Sequence, residues 1–176
     1  ITPSYTPTFD SGLVNDFSCT ITGAGGETVT IWWADGAAIG SYQIYVKKLA
    51  YVSTLSATGV DTDRATLHAQ IDTGDFTDVY VRFAYRILNT GSWSYTSWVL
   101  ADSTGYETTI LNLTSDTTYE FYAEIQFDGG SETDTGSTLQ FTTSKILPTV
   151  ETDTAFNITC ETAVLSGTYT VGDYSS

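Results

Sequence analysis

The sequence predicts an all-β protein built from β-sandwich modules, and three observations support this fold class. Thr is the commonest residue and is accompanied by 12 Tyr, 8 Phe and 4 Trp, residue types that suit a pleated, half-buried surface. Apolar and polar residues alternate in short runs separated by turn signals every ~8–12 residues, which is typical of a sandwich. The third observation is an internal repeat, which indicates a modular array.

The repeat has a period of 98 residues. The segment DRATLHA at 63–69 corresponds to ETAVLSG at 161–167, and GDFT at 74–77 corresponds to GDYS at 172–175. Two matched blocks at one offset, with no gap between them, are not expected by chance. The second copy stops after its opening strands, so we expect the 176 residues to be part of a longer protein.

The repeat divides the chain into three predicted parts: an N-terminal β segment at 1–48, a complete module at 49–147, and the opening strands of a second repeat at 148–176. In the first part we predict strands at 17–22, 28–33 and 41–47, with a turn that begins at Asp35 and Gly36. A short similarity between 41–45 and 138–142 indicates that this segment supplies the closing strands of a preceding sandwich.

The complete module contains seven predicted strands, at 51–57, 65–71, 79–87, 93–100, 106–111, 119–127 and 138–143. Successive side chains of a strand point to opposite faces. The alternation therefore predicts a core formed by Ala65, Leu67, Ala69, Ile71, Val79, Val81, Phe83, Tyr85, Tyr119, Phe121, Ala123, Ile125 and Phe127. The segment 128–136 is a predicted polar loop, and about a hundred residues suffice to bury a core without a metal or a disulfide.

The segment LTSDTTYEF at 113–121 resembles the loop and sixth strand of fibronectin type III domains. This resemblance implies a fibronectin type III/immunoglobulin-like β-sandwich, in which Tyr119 forms a corner by bonding back to the upstream chain and Leu113 is its core neighbour. The segments 65–69, 81–86 and 139–143 are similar to the second, third and last strands of that family. Leu67 and Leu165 depart from the pattern, because the family usually has Trp there.

Charge and composition exclude several classes of function. The chain carries 21 acidic and 6 basic residues, a net charge of -15, which repels nucleic acids and anionic membrane surfaces. No run approaches the ~18–20 apolar residues that span a bilayer, so we expect no membrane insertion in this segment. The one histidine, His68, occupies an outward strand position, and no nucleophile, base and orienting group can be identified. The sequence therefore predicts a protein that is not an enzyme and needs no cofactor.

Carboxylates cluster in the predicted turns. Solvated loop charge is the simpler interpretation of this cluster. The alternative is a weak calcium site at Asp128, Glu132 and Asp134, because calcium prefers several oxygen ligands from flexible loops.

Trp93, Tyr95 and Trp98 form a second candidate site. Trp93 and Tyr95 share one face of their predicted strand, and Trp98 falls on the opposite face unless a bulge intervenes. Two interpretations stay open: packing in the core or between modules, and an exposed aromatic surface for a partner or a sugar.

Two covalent features depend on where the protein works. Cys19 and Cys160 are either independent thiols or, in an extracellular protein, a disulfide. Asn112 and Asn157 fit the N-glycosylation pattern, which requires a secretory route.

These features together predict an extracellular or cell-surface module, non-enzymatic and adhesive or structural, in a fibre, filament, stalk or virion appendage. Its expected partners are neighbouring modules or identical subunits, joined end to end or by strand complementation, and glycans. The alternative function is an accessory carbohydrate-binding module of a secreted hydrolase.

Overall fold

The computed structural model describes residues 25–35 and 38–174, and strands dominate both segments. The chain divides into two compact units, Ile1–Leu49 and Ala50–Ser176. The described part of the first unit is an antiparallel pair of strands, β1 (Glu27–Asp35) and β2 (Ala38–Val46). Its register is continuous from the Glu27–Val46 pair to the Asp35–Ala38 pair, which confirms the strands predicted at 28–33 and 41–47.

Two predictions for the first unit lie outside the described residues. They are the strand at 17–22 and the Gly36 position of the turn after Asp35. The assignment of this unit as the closing strands of another sandwich stays a prediction.

The second unit contains the following strands in its described part: β3 (Tyr51–Thr58), β4 (Arg64–Asp72), β5 (Tyr80–Ile87), β6 (Ser94–Tyr95), β7 (Val99–Leu100), β8 (Tyr106–Leu111), β9 (Thr118–Phe127), β10 (Glu132–Thr135), β11 (Leu139–Thr142), β12 (Thr149–Thr152) and β13 (Gly167–Thr170).

The strands β3 to β11 form a β-sandwich. One sheet has the order β3-β4-β8, and the opposing sheet has the order β10-β9-β5-β6, with β11 also beside β9 and β7 also beside β5. All pairings are antiparallel. A three-stranded sheet facing a sheet with four strand positions confirms the predicted fold class, a fibronectin type III/immunoglobulin-like sandwich.

The core lies between the two sheets and follows the predicted alternation. Its largest fully buried side chains are Phe83, Phe121, Leu67, Ile71, Ile125, Val79 and Val81. Burying each such side chain contributes about 1.5–3 kcal/mol. Aromatic contacts order this layer: the Tyr119 ring stacks on Phe141 at 5.5 Å between centroids, and Phe83 stacks on Tyr106 at 5.6 Å. Tyr85 is the exception among the predicted core residues, because it is only partly buried.

The predicted loop at 128–136 is partly wrong. It begins with a 3-10 turn at Asp128–Gly130 and then returns as β10 alongside the end of β9. Asp128, Gly129 and Gly130 have φ angles of 54°, 67° and 87°. Three successive left-handed residues reverse the chain tightly enough for strand pairing to resume at Glu132.

The two sheets of the sandwich contact each other at one edge, where β3 of the first sheet lies beside β9 and the turn after β10 of the second. The Ala123 amide donates to Thr54 Oγ1 at 3.0 Å, and the Val52 amide donates to the Asp134 carboxylate at 2.8 Å. A Cβ atom on Gly136 would lie 2.5 Å from the Thr54 backbone nitrogen. Only glycine therefore permits this close approach.

The four residue pairs of β12 with β13 repeat the first four pairs of β3 with β4, with every residue number raised by 98. Tyr51 pairs with Asp72 and Val52 with Ile71, and Thr149 pairs with Thr170 and Val150 with Tyr169. After the register shift in β3, Thr58 pairs with Thr66, and the counterpart is an isolated bridge from Phe156 to Val164.

The turns of the two copies agree as well. The Asp61 amide donates to the Arg64 carbonyl at 2.9 Å, and the Thr159 amide donates to the Thr162 carbonyl at 2.7 Å. Gly59 and its counterpart Asn157 are both left-handed, with φ of 55° and 51°. The repeat seen in the sequence is therefore a repeat of backbone structure.

Candidate functional site

The candidate site is the outer face of the sheet formed by β5, β9, β6 and β7. Arg82 and Arg86 alternate along β5 with the core residues Val81 and Phe83, so their side chains lie on the solvent side. On the neighbouring strand β9, Glu124 lies directly opposite Arg82, Tyr122 opposite Ala84, and Glu120 opposite Arg86.

Trp93, Tyr95 and Trp98 all lie on this outer face. Trp98 therefore does not fall on the opposite face, as unbroken alternation predicted. The predicted strand at 93–100 is interrupted: Ala84 pairs with Tyr95, and Val81 pairs with Val99. Four residues thus advance on one strand while three advance on β5. The extra residue is a bulge that reverses the alternation, the alternative the sequence left open.

The rings are stacked on the two arginines. The Arg82 guanidinium carbon lies 4.1 Å from the Tyr95 ring centroid and 4.3 Å from that of Trp98. Arg86 lies 4.2 Å from the Trp93 ring. We call this surface the aromatic–arginine face and define it by Arg82, Arg86, Trp93, Tyr95, Trp98 and Tyr122.

Tyr122 connects the two stacks. Its ring meets Trp93 edge-on, at 4.8 Å between centroids and 74° between planes. Burial raises the pKa of its phenol, and the Glu124 carboxylate and a hydrogen bond with Tyr95 act in the same direction. The phenol of Tyr122 is therefore neutral at physiological pH. Its contacts with Trp93 and Tyr95 join the rings of the two stacks into one continuous array.

Each arginine of the face is also paired with a glutamate. Arg82 Nε bonds Glu124 Oε1, and Arg86 Nε donates to Glu120 Oε1 at 2.7 Å. Each cross-strand pair balances one positive charge against one negative charge, so this surface is locally neutral on a strongly acidic chain. Aromatic rings on such a surface supply contact area for the apolar C–H face of a ligand such as a sugar ring.

The exposure of the rings is intermediate between the two interpretations of the sequence, a packed cluster and an exposed aromatic surface. Tyr95 is exposed, with 48% of its surface accessible, whereas Trp93 and Trp98 are half-buried. The rings pack on their own sheet and leave part of their surface to solvent.

His68 lies on the outer face of the other sheet, as predicted, but it has two side-chain partners. Its Nε2 is 2.7 Å from Thr58 Oγ1, and its Nδ1 is 3.2 Å from Glu107 Oε2. Glu107 is directly opposite His68 in the β4–β8 register, a contact between distant strands that the sequence did not reveal. The Glu107 side chain is 71% exposed, so water screens this pair.

The structure does not bring the calcium candidates together. Asp134 accepts the Val52 amide at 2.8 Å, and the Asp128 carboxylate faces Ser131 Oγ at 3.3 Å within its own turn. Glu132 is exposed at the start of β10. Among the described residues, no group of three His, Cys, Asp or Glu could hold a metal ion.

The covalent candidates stay predictions. Cys160 is exposed and has no disulfide partner within the described residues, and Cys19 lies outside them. Asn112 and Asn157 are exposed, with left-handed φ of 60° and 51°. No helix in the part of the chain that the structure describes is long and apolar enough to cross a membrane.

The fold and this site define a β-sandwich module with an aromatic–arginine outer face. No family model matches the chain, and no curated protein matches it. Among solved structures, it is similar to the sensor domain of the anti-sigma factor RsgI4 from Pseudobacteroides cellulosolvens, at 15% identity and a TM-score of 0.44, over 54% of this chain and 94% of that one.

Two further similarities are of the same order. One is a myokine structure at 13% identity and a TM-score of 0.40, covering 52% of this chain and 96% of that one. The other is a set of titin domains at 15% identity and a TM-score of 0.36, covering 64% of this chain and 39% of that one.

Proposed function

We propose that this chain is a structural, non-enzymatic part of an extracellular protein built from tandem fibronectin type III-like sandwiches. The observation that carries the proposal is the 98-residue repeat of backbone register. For example, the cross-strand pair of Val150 with Tyr169 corresponds to the pair of Val52 with Ile71. Successive sandwiches at a fixed period make a rod, stalk or filament, in which each unit contacts its neighbours.

The membership in the fibronectin type III family is supported by Tyr119. The Thr114 amide donates to the Tyr119 hydroxyl oxygen at 2.8 Å, and both Tyr119 and Leu113 are buried. This is the tyrosine corner expected between the fifth and sixth strands of such sandwiches.

The second repeat exposes the side chains that a sandwich would bury. Val150, Leu165 and Tyr169 are 81%, 78% and 75% exposed. Their counterparts Val52, Leu67 and Ile71 are 5%, 0% and 1% exposed. A two-stranded pair is not stable without a second layer, so β12–β13 needs a facing sheet, from further residues of the same protein or from an identical subunit by strand complementation.

An extracellular or cell-surface location is supported by the composition and by the exposed glycosylation candidates Asn112 and Asn157. A fibre, filament, stalk or virion appendage fits these features, and its partners would be neighbouring modules or identical subunits.

The test is electron microscopy of the native protein together with light scattering of this 176-residue chain. We expect rods with regularly spaced globules in the native assembly. For the isolated chain, association that is lost on Val150→Asp but not on Leu111→Asp would indicate complementation by identical subunits, because Leu111 is an exposed apolar residue outside β12–β13. A single compact native particle would contradict the proposal.

A second candidate function, binding of a carbohydrate, is favoured by the aromatic–arginine face. The three rings Trp93, Tyr95 and Trp98 share one outer surface, which is the arrangement this alternative requires. Affinity electrophoresis in soluble polysaccharides would test it. Retardation should be lost on Trp98→Ala and kept on Tyr51→Ala, which removes an exposed ring from the other sheet. A folded chain that no polysaccharide retards would exclude this function.

A further inference from the structure

The segment that joins the two repeats is held by the turn at 171–174 of the second repeat. The Ile146 amide donates to Asp173 Oδ2 at 2.6 Å, and the Asp173 amide donates to the Ile146 carbonyl at 2.9 Å. The pair of bonds occupies both backbone polar groups of Ile146. A linker residue is thereby fixed to a residue 27 positions further along the chain.

Gly172 permits this contact for two independent reasons. Its φ is 58°, a left-handed conformation that favours glycine. A Cβ atom there would overlap the Ile146 carbonyl and lie 2.9 Å from the Leu147 carbonyl carbon. The linker and the turn are therefore packed backbone against backbone.

The same turn also reaches the complete sandwich. Lys145 Nζ lies 3.1 Å from Asp116 Oδ2 and 5.2 Å from the centroid of the Tyr174 ring. The Ser115 side chain lies close to the Asp173 carboxyl and contributes to the lowering of its pKa. The turn after β8 is thus in contact with the second repeat, directly through Ser115 and indirectly through Lys145.

The turn after β8 is itself fixed to its sandwich. Thr143 is a buried polar residue, and its hydroxyl donates to the Thr114 carbonyl at 2.6 Å and accepts the Thr117 amide at 3.0 Å. The Asp116 amide donates to the Ser144 carbonyl at 3.2 Å. The surface that receives the second repeat is therefore a rigid part of the first.

We propose that these contacts form an inter-repeat joint, a surface on which each sandwich holds the 171–174 turn of the next repeat in a fixed orientation. The proposal rests on the tandem-sandwich function above and specifies its geometry: successive repeats are fixed to one another at this joint. The residue types recur with the period in the sequence, where Lys47, Gly74 and Asp75 precede Lys145, Gly172 and Asp173 by 98 positions.

Amide hydrogen exchange of the full chain, followed by NMR, tests the joint. In the unmodified protein the Ile146 amide should exchange at least about tenfold more slowly than in an unstructured peptide, because a charge-assisted bond protects it. Asp173→Ala should remove that protection and leave the core amides of Phe83 and Ala123 unchanged.

Asp153→Ala is the matched control. It also removes one carboxylate from the second repeat, which accepts from Ser166 Oγ at 3.0 Å within the repeat itself. The joint predicts that this variant keeps the protection of Ile146. Equal loss in both variants would overturn the proposal, because it would show a general loosening of the second repeat.

The amides of Phe156 and Val164, which bond across the second repeat at 3.0 and 2.9 Å, separate the two proposals. If they are protected while Ile146 exchanges freely, the joint is wrong and the tandem architecture stands. If all three exchange freely, the joint is also contradicted, and the tandem architecture stands, because β12–β13 is expected to need a facing sheet for its stability. The variant Gly172→Ala provides an independent measurement by ¹⁵N relaxation. In the unmodified protein the amides of 172–174 should tumble together with the sandwich. In the variant they should move independently of it.

Discussion

Single residues in this protein are explained by close approaches and hydrogen bonds between segments far apart in sequence. Gly136 and Asp173 each contact a segment that no local pattern connects to them. Asp134 is an example of the consequence: as a sequence position it belongs to a carboxylate cluster, and in the fold its side chain holds the Val52 amide. A carboxylate that accepts a backbone amide between strands acts as a structural group.

We predict that Gly136→Ala destabilises the sandwich by about 1–3 kcal/mol, because the added methyl group must displace the Thr54 backbone. Chemical unfolding, followed by Trp fluorescence, measures this. The matched control is Gly91→Ala, where no atom lies within 4 Å of the added Cβ. That variant should be neutral or stabilised by up to about 1 kcal/mol. Equal stability of the two variants would contradict the close approach.

The joint should depend on pH through Asp173. The Ile146 amide, and then the Ser115 side chain and the Lys145 charge, hold the pKa of the Asp173 carboxyl below its ordinary value. A lowered pKa means that the stabilisation is fully present above the unfolded value of about 3.9 and is lost as pH falls through the folded value. Lys145 is itself shared with the Asp116 carboxylate and lies near the Tyr174 ring.

We therefore expect the protection of the Ile146 amide to be complete above pH about 4 and to be lost as pH falls through the lower, folded-state pKa of Asp173. The Ile146 amide shift should titrate with the Asp173 carboxyl, and this titration should be absent in Asp173→Asn. A pH-independent Ile146 shift in the unmodified chain would show that the carboxylate is not its partner.

At the scale of strands, one extra residue between β6 and β7 determines the chemistry of the outer face. The bulge places Trp98 beside Arg82 and Tyr95, and without it Trp98 would point toward the core. The three side chains are brought together by strand pairing, since Arg82 is 13 positions from Tyr95 in the sequence. The face is therefore a product of the β5–β6–β7 arrangement.

We predict a measurable coupling between Arg82 and Trp98. A double-mutant cycle with Arg82→Ala and Trp98→Ala should give an interaction free energy of about 0.5–1 kcal/mol, the value for a partly exposed cation–π contact. Urea unfolding of the four proteins measures it. Arg64→Ala with Trp98→Ala is the control cycle, because Arg64 lies on the other sheet, and its effects should add. Strict additivity in the first cycle would contradict the stacking.

At the scale of the whole molecule, equivalent residues of the two repeats stand in opposite environments. Leu67 is fully buried and Leu165 is 78% exposed, although Leu165 follows the Phe156–Val164 bridge as Leu67 follows the Thr58–Thr66 pair. The paired ends of the two repeats thus have the same local register, although the described second repeat has neither a facing sheet nor a counterpart of β8.

We predict that Leu67→Ala costs about 2–5 kcal/mol of unfolding free energy, whereas Leu165→Ala costs less than about 0.5 kcal/mol in the isolated chain. Thermal and chemical unfolding measure both. In the native assembly the two costs should converge, because a facing sheet would bury Leu165. A large cost of Leu165→Ala in a monomeric chain would show that the second repeat is already covered.

Local sequence patterns were sufficient to predict most strand positions of the complete module, the buried faces of β4, β5 and β9, and the repeat. These follow from local alternation, in which Leu67, Phe83 and Phe121 are each fixed on the core side by the period of the strand. The tyrosine corner at Tyr119 was expected from the resemblance of 113–121 to fibronectin type III domains, and its partner Thr114 is five positions away.

The tertiary structure decided the side of the sheet on which Trp98 lies, the return of the chain as β10, the role of Asp134 and the contacts of Asp173 with the linker. Each depends on the register between strands or turns distant in sequence, and a shift of one residue reverses the face that a side chain occupies. Alternation along one strand carries no information on that register, because the register is set by packing of the whole sandwich.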